Sequence, residues 1–112
     1  MRRLALAGAL LAATLSPAHA QAPSGQMTAR VTSYCLDGRS ATGEWTRPGM
    51  VAVDPRTIPL YSRVSIEGLG DGYQALDTGG GVIGNWVDVW FDSCRAALDW
   101  GSRYLTVEWS AP

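Results

Sequence analysis

The sequence predicts a small all-β domain, a barrel or a sandwich, and three features predict it. Its apolar residues come in short alternating or continuous runs. Thirteen glycines and six prolines punctuate 112 residues, so most runs have room only for a strand. A single stretch carries the marks of a helix.

The first strand is expected over Thr28–Cys35, where Ala29, Val31 and Ser33 share one side. Residues 37–49 read as a long polar loop. Met50-Val51-Ala52-Val53 is a short apolar strand stopped by Asp54-Pro55. Arg63–Glu67 alternates strictly, and Gly68-Leu69-Gly70-Asp71-Gly72 turns the chain. Tyr73–Leu76 leads into a glycine-rich segment, and Trp86–Phe91 forms the next strand. Ser93–Trp100 is the helix: Ser93 can cap it, Ala96, Ala97 and Leu98 favour it, and Gly101 stands where helices stop. Arg103–Trp109 closes the domain as a final strand, with Trp100 and Trp109 assigned to the core.

Residues 1–20 read as a cleavable signal peptide. Arg2 and Arg3 form the positive region, Leu4 to Leu15 the apolar one, and Ala18-His19-Ala20 the cleavage site. The apolar run is too short to span a bilayer, and no later segment could, so no transmembrane anchor is expected. Residues 21–27 look like a short flexible leader, and residues 28–112 form one compact domain. Export to the periplasm or cell envelope follows.

Cleavage changes the chemistry that is left. His19, the only histidine, departs with the signal, and the chain has no lysine. Seven arginines then face ten carboxylates, a net charge of −3 that argues against nucleic acid as a partner. Histidine-activated nucleophiles and Schiff-base lysines are excluded, and a zinc site lacks its usual ligands. No metal or cofactor is expected, which leaves Asp, Glu and Tyr for acid–base work. Cys35 and Cys94 are the only cysteines, and in an exported domain they are expected to form a disulfide.

The segment richest in chemistry is Asp77-Thr78-Gly79-Gly80, followed eleven residues later by Asp88. Glycine allows backbone to come close to a ligand, which points to Thr78, Gly79 and Gly80 as binding positions. Along the strand that follows, Val87, Val89 and Phe91 make an apolar row, while Trp86, Asp88, Trp90 and Asp92 share the other face. Indoles beside carboxylates suit sugar chemistry. Asp77 has two readings, a turn aspartate accepting backbone N–H bonds or a group in the chemistry itself. Asp54 reads as a turn aspartate. Asp77-Thr78-Gly79 also invites an aspartic-protease reading, but Val82-Ile83-Gly84 follows too soon and a second such loop is missing.

Nearly the whole mature chain resembles the 3D domain, named for its aspartates, of bacterial cell-wall proteins and of the catalytic end of MltA-type lytic transglycosylases. The matching stretches are Ala41-Thr42-Gly43, Val51-Ala52-Val53-Asp54-Pro55 with Ile58-Pro59-Leu60, Asp77-Thr78-Gly79-Gly80, and Gly84-Asn85-Trp86-Val87-Asp88. The resemblance implies a six-stranded double-psi β-barrel of the RlpA-like kind. It implies peptidoglycan glycan strands as the partner, and the chain is expected to be a monomer. It also implies that Asp88 is the single catalytic acid, with Asp77 beside it and Tyr34 and Thr42 lining the cleft. The chain departs from the family pattern at Tyr61, where glycine is common, and at Ile83, where lysine is common.

A lytic transglycosylase needs one carboxyl that is protonated when it meets the glycosidic oxygen, although a free aspartate titrates near about 4. Burial against indoles and nearby anions raise such a group; Trp86, Trp90, Asp77 and Asp92 are the expected sources for Asp88. The competing reading is a binding module that holds glycan through Trp86 and Trp90 without cutting it.

Overall fold

The computed structural model describes residues 24–112; the signal-peptide assignment lies outside them. Six strands and one helix follow in order: β1 (Ser24–Tyr34), β2 (Met50–Ala52), β3 (Arg63–Ile66), β4 (Gly70–Asp77), β5 (Trp86–Trp90), α1 (Cys94–Trp100) and β6 (Arg103–Ser110). They close in the order β1-β5-β2-β4-β3-β6. β1 pairs parallel with β5, and β2 with β4, while the other four ladders are antiparallel. This is the six-stranded double-psi β-barrel with one short helix.

Period-two alternation fills the interior. Ala29 and Val31, Val51 and Val53, Val64 and Ile66, Ala75, Val87 and Val89, and Val107 are almost wholly buried in one cluster. Trp100 and Trp109 pack against it from the ends. β-branched side chains dominate because they fit a pleated, inward-curving surface. A second, smaller cluster of Met50, Leu76 and Trp90, joined by Tyr34, lies outside the main core.

Two boundaries differ from the sequence reading. Ser24 to Met27, expected within the leader, extend β1, because each pairs with a residue of Val107–Ser110 on β6. Gly70, Asp71 and Gly72, expected in a turn, begin β4, since the turn is completed by Glu67–Leu69 and Gly70 already pairs with Ile66. The helix matches its expected signals. Ser93 accepts the N–H of Ala96, and Gly101, at φ 67°, donates its own N–H to Ala97. The disulfide joins Cys35 to Cys94 across 59 residues, tying the end of β1 to the first residue of α1.

Candidate active site

Register places the two carboxylates. Ala52 on β2 pairs with Asp77 of β4 on one side and Asp88 of β5 on the other. The aspartates thus stand at one level, two strand spacings apart, roughly 10 Å of backbone. Alanine between them leaves the floor open. The resulting cleft, about 340 Å3, is lined by Tyr34, Ala52, Asp77, Thr78, Gly79 and Asp88, with Leu36 to Arg39 and Thr46 forming its far wall.

Asp77 is tied down at both oxygens. Oδ1 accepts the backbone N–H groups of Ala41 (2.9 Å) and Thr78 (2.9 Å), and Oδ2 accepts the Tyr34 hydroxyl at 3.0 Å. The carboxylate thus shapes the turn and also faces the cleft. Burial, together with the charge and hydrogen bond of Asp77, holds the Tyr34 hydroxyl far above its ordinary range, so Tyr34 stays a donor.

Asp88 is half-buried and has one hydrogen-bond partner among the described residues. The Thr32 hydroxyl donates to its Oδ1 at 2.8 Å, and the Trp86 indole N–H in turn donates to that hydroxyl at 2.7 Å. Burial raises the Asp88 carboxyl above the usual carboxylate range, the Thr32 bond pulls it down, and the charge of Asp77 pushes it up again. The net direction is upward, as a general acid requires.

Five of the residues read as binding positions, Trp86, Trp90, Asp92, Thr42 and Gly80, do not line this cleft. Trp90 is only 7% exposed and packs with Met50 and Leu76, its indole N–H donating to the Leu36 carbonyl. The chain after β1 folds over this end of β5 and covers the face that alternation alone leaves open. Asp92 is exposed beyond β5, which ends at Trp90, and is absent from the groups that shift Asp88. Thr42 donates to the Leu76 carbonyl (2.8 Å) and anchors the loop rather than lining the cleft. Gly80 is exposed past the cleft's edge, whereas Thr78 and Gly79 line it. Trp86 is half-buried behind Thr32, with the Arg30 guanidinium 4.4 Å above its ring.

Asp54 is a turn aspartate in the structure. Its carboxylate accepts from the Arg56 backbone and guanidinium and from the Gly84 N–H, bonds that hold it well below the usual carboxylate range. It thereby ties the end of β2 to the glycine loop before β5. A hollow of similar size lies over β3 and β6, around Arg63, Asp71, Glu108 and Trp109, and none of the expected site residues lines it.

Sequence reasoning missed Thr32, Arg39 and Trp45. Thr32 was within reach, since placing Ala29, Val31 and Ser33 on one side of β1 puts Thr32 and Tyr34 together on the other. The parallel register Thr32↔Asp88 was not.

Comparison with known proteins agrees with this architecture. The model of the 3D domain family matches residues 49–109. The chain belongs to the 3D-domain family. It is similar to three proteins of Bacillus subtilis (strain 168). The cell wall-binding protein YocH is 36% identical, the match covering 79% of this chain and 33% of YocH. YorM, named as SPbeta prophage-derived, is 38% identical over 62% of this chain and 30% of its own. YabE, named as a cell wall shaping protein, is 35% identical over 73% of this chain and 22% of its own. This 3D-domain chain thus spans a third or less of the relatives it matches. No solved structure matches it significantly. Among the described residues, no helix is long and apolar enough to cross a membrane.

Proposed function

We propose that this 3D-domain protein is exported and cleaves glycosidic bonds of the peptidoglycan glycan, as a lytic transglycosylase does, with Asp88 as its single acid and base. The observation that carries the reading is Asp88 itself: a carboxyl raised by burial, gripped at one oxygen, and open to a cleft opposite a second aspartate that is hydrogen-bonded at both oxygens. The protonated carboxyl gives its proton to the glycosidic oxygen as the C1–O bond breaks. The resulting carboxylate then takes the proton of the sugar's own C6 hydroxyl while that oxygen bonds to C1. A 1,6-anhydro ring forms, and Asp88 is again protonated. One carboxyl performs both transfers, so the second carboxylate that hydrolysis uses is not required. Asp77 then serves to position the wall of the cleft and to raise Asp88 by its charge.

The names of YocH and YabE, one binding and one shaping the wall, support the choice of cell-wall glycan and a site of action outside the cytoplasm. The binding name of YocH also favours the second reading, a glycan-holding module without turnover. Mass spectrometry of purified sacculi incubated with the protein separates the two. Wild-type protein is expected to release 1,6-anhydro muropeptides, and Asp88→Asn to release at most about a hundredth as much, the scale of a lost general acid, while still sedimenting with sacculi. Full release by Asp88→Asn would refute the assignment. Release by neither protein, with sedimentation intact, would establish the binding module.

A further inference from the structure

The far wall of the cleft is a small hairpin with its own chemistry. Gly38 and Thr46 are joined by the Thr46 N–H to the Gly38 carbonyl (2.9 Å) and by the Gly38 N–H to the Thr46 hydroxyl (3.2 Å). Between them Arg39 and Trp45 face one another across a β-bridge. The Arg39 guanidinium stacks 4.9 Å from the Trp45 ring centroid, and its Nη1 donates to the Gly43 carbonyl at 2.8 Å. The hairpin is not free to drift, because the Ala41 N–H bonds Asp77 and Thr42 bonds Leu76. Asp77 therefore sets the distance between this hairpin and Asp88.

Two features of this wall stand out. Arg39 lines the cleft, yet no carboxylate lies within ion-pair distance of it among the described residues. The other ionisable groups on the cleft wall are Tyr34 and three acids, Asp37, Asp77 and Asp88. Trp45 is 59% exposed, a large indole left in water beside that cation. A guanidinium pre-oriented on an aromatic ring keeps its remaining N–H groups for a planar anion, at little further cost in side-chain entropy. In a cleft otherwise lined by acids, a ligand's carboxylate has one favourable place to sit.

Resting on the glycan reading above, we propose that Arg39 on Trp45 is a carboxylate-recognition site that selects muramyl residues over uncharged N-acetylglucosamine oligomers. The carboxylate is the lactyl group's where the stem has been removed, or one of the peptide's own where the stem is attached and the lactyl carboxyl is held as an amide; either presents the same planar anion. Arg39 and Trp45 lie outside the stretch matched by the family model.

Binding of wild type, Arg39→Gln, Arg39→Lys and Trp45→Ala tests it against three ligands. These are a chitin hexamer, glycan strands stripped of peptide, and strands carrying their stems. Arg39→Gln is expected to weaken a carboxylate-bearing ligand about tenfold or more, the worth of a charge-assisted hydrogen bond, and to leave the chitin hexamer unchanged. Arg39→Lys should recover part of the loss, since the charge returns without the fork, and Trp45→Ala should lose selectivity by releasing the guanidinium. Loss on stripped strands assigns the lactyl group; loss confined to stem-bearing strands assigns the peptide. Equal weakening of all three ligands, or none, overturns the proposal while wild-type binding upholds the glycan reading. Wild type that binds none of them overturns both.

Discussion

The Thr32 hydroxyl has a single proton to give, and the Trp86 indole N–H already occupies one of its lone pairs. Its proton is therefore directed at Asp88, where it favours the anion against burial and against the charge of Asp77. The native pKa of Asp88 lies above its unfolded value, so between the two the native state binds more protons. Stability accordingly falls as pH rises through that window. Thr32→Val removes the opposing bond. Its Asp88 carboxyl, followed by 13C NMR, should titrate higher than in wild type, and the pH window of falling stability should extend upward with it. The variant also orphans the Trp86 N–H, at a cost of about 1–2 kcal/mol. Thr32→Ser keeps both bonds and should titrate like wild type; if Thr32→Val does so as well, the hydroxyl does not tune the acid.

Among the described residues, Tyr61, in the turn before β3, is the one non-glycine residue with positive φ. Tyr61 takes φ 73°, the left-handed conformation that costs a side-chain-bearing residue about 1–2 kcal/mol. The surrounding bonds hold it there. The Tyr61 N–H donates to the Ala75 carbonyl at 2.7 Å, and the buried Ser62 donates through both its N–H and its hydroxyl to the Pro59 carbonyl. The residue is 46% exposed, so relatively little packing repays the strain. Tyr61→Gly is expected to raise stability by about 0.5 kcal/mol, backbone relief exceeding the added unfolded-state entropy. Tyr61→Val should lower it by about 1 kcal/mol or more, because β-branching is least tolerated at positive φ. Urea unfolding of both variants checks the signs; a destabilised Tyr61→Gly would show that the ring's packing outweighs the strain.

For the whole molecule, the disulfide is the main long-range fastener. It closes a loop of 59 residues, which removes unfolded-state entropy worth about 4 kcal/mol on the chain-entropy model. A domain of this size has on the order of 5–15 kcal/mol in all. The same link holds α1 against β1, helped by the Trp100 indole N–H on the Val31 carbonyl (3.0 Å) and by the Ser33 hydroxyl on the Ala97 carbonyl. Reduction should therefore lower the melting temperature by roughly 10 °C or more, and Cys35 and Cys94 should resist alkylation until reduced. A melting curve unchanged by reduction would mean that the barrel alone closes the fold.

The features legible in the chain were local ones. Period-two alternation named the apolar side of β1 and of β5 and marked β3 as a strand; Ser93 and Gly101 bounded α1; and the spacing of Asp77 from Asp88 pointed to the candidate site. These signals are legible because each depends on residues a few positions apart. The tertiary structure alone decided which polar groups meet. Trp90 lies on the outward face of β5 just as alternation has it, yet the chain from Leu36 covers it, and a covering segment leaves no mark on the strand it covers. Thr32 reaches Asp88 only through the parallel pairing of β1 with β5, a contact 56 residues apart. Arg39 meets the cleft because Ala41 bonds Asp77 across 36 residues and Thr42 bonds Leu76 across 34. Hydrogen bonds of that range are set by how a barrel closes, and closure is a property of all six strands together.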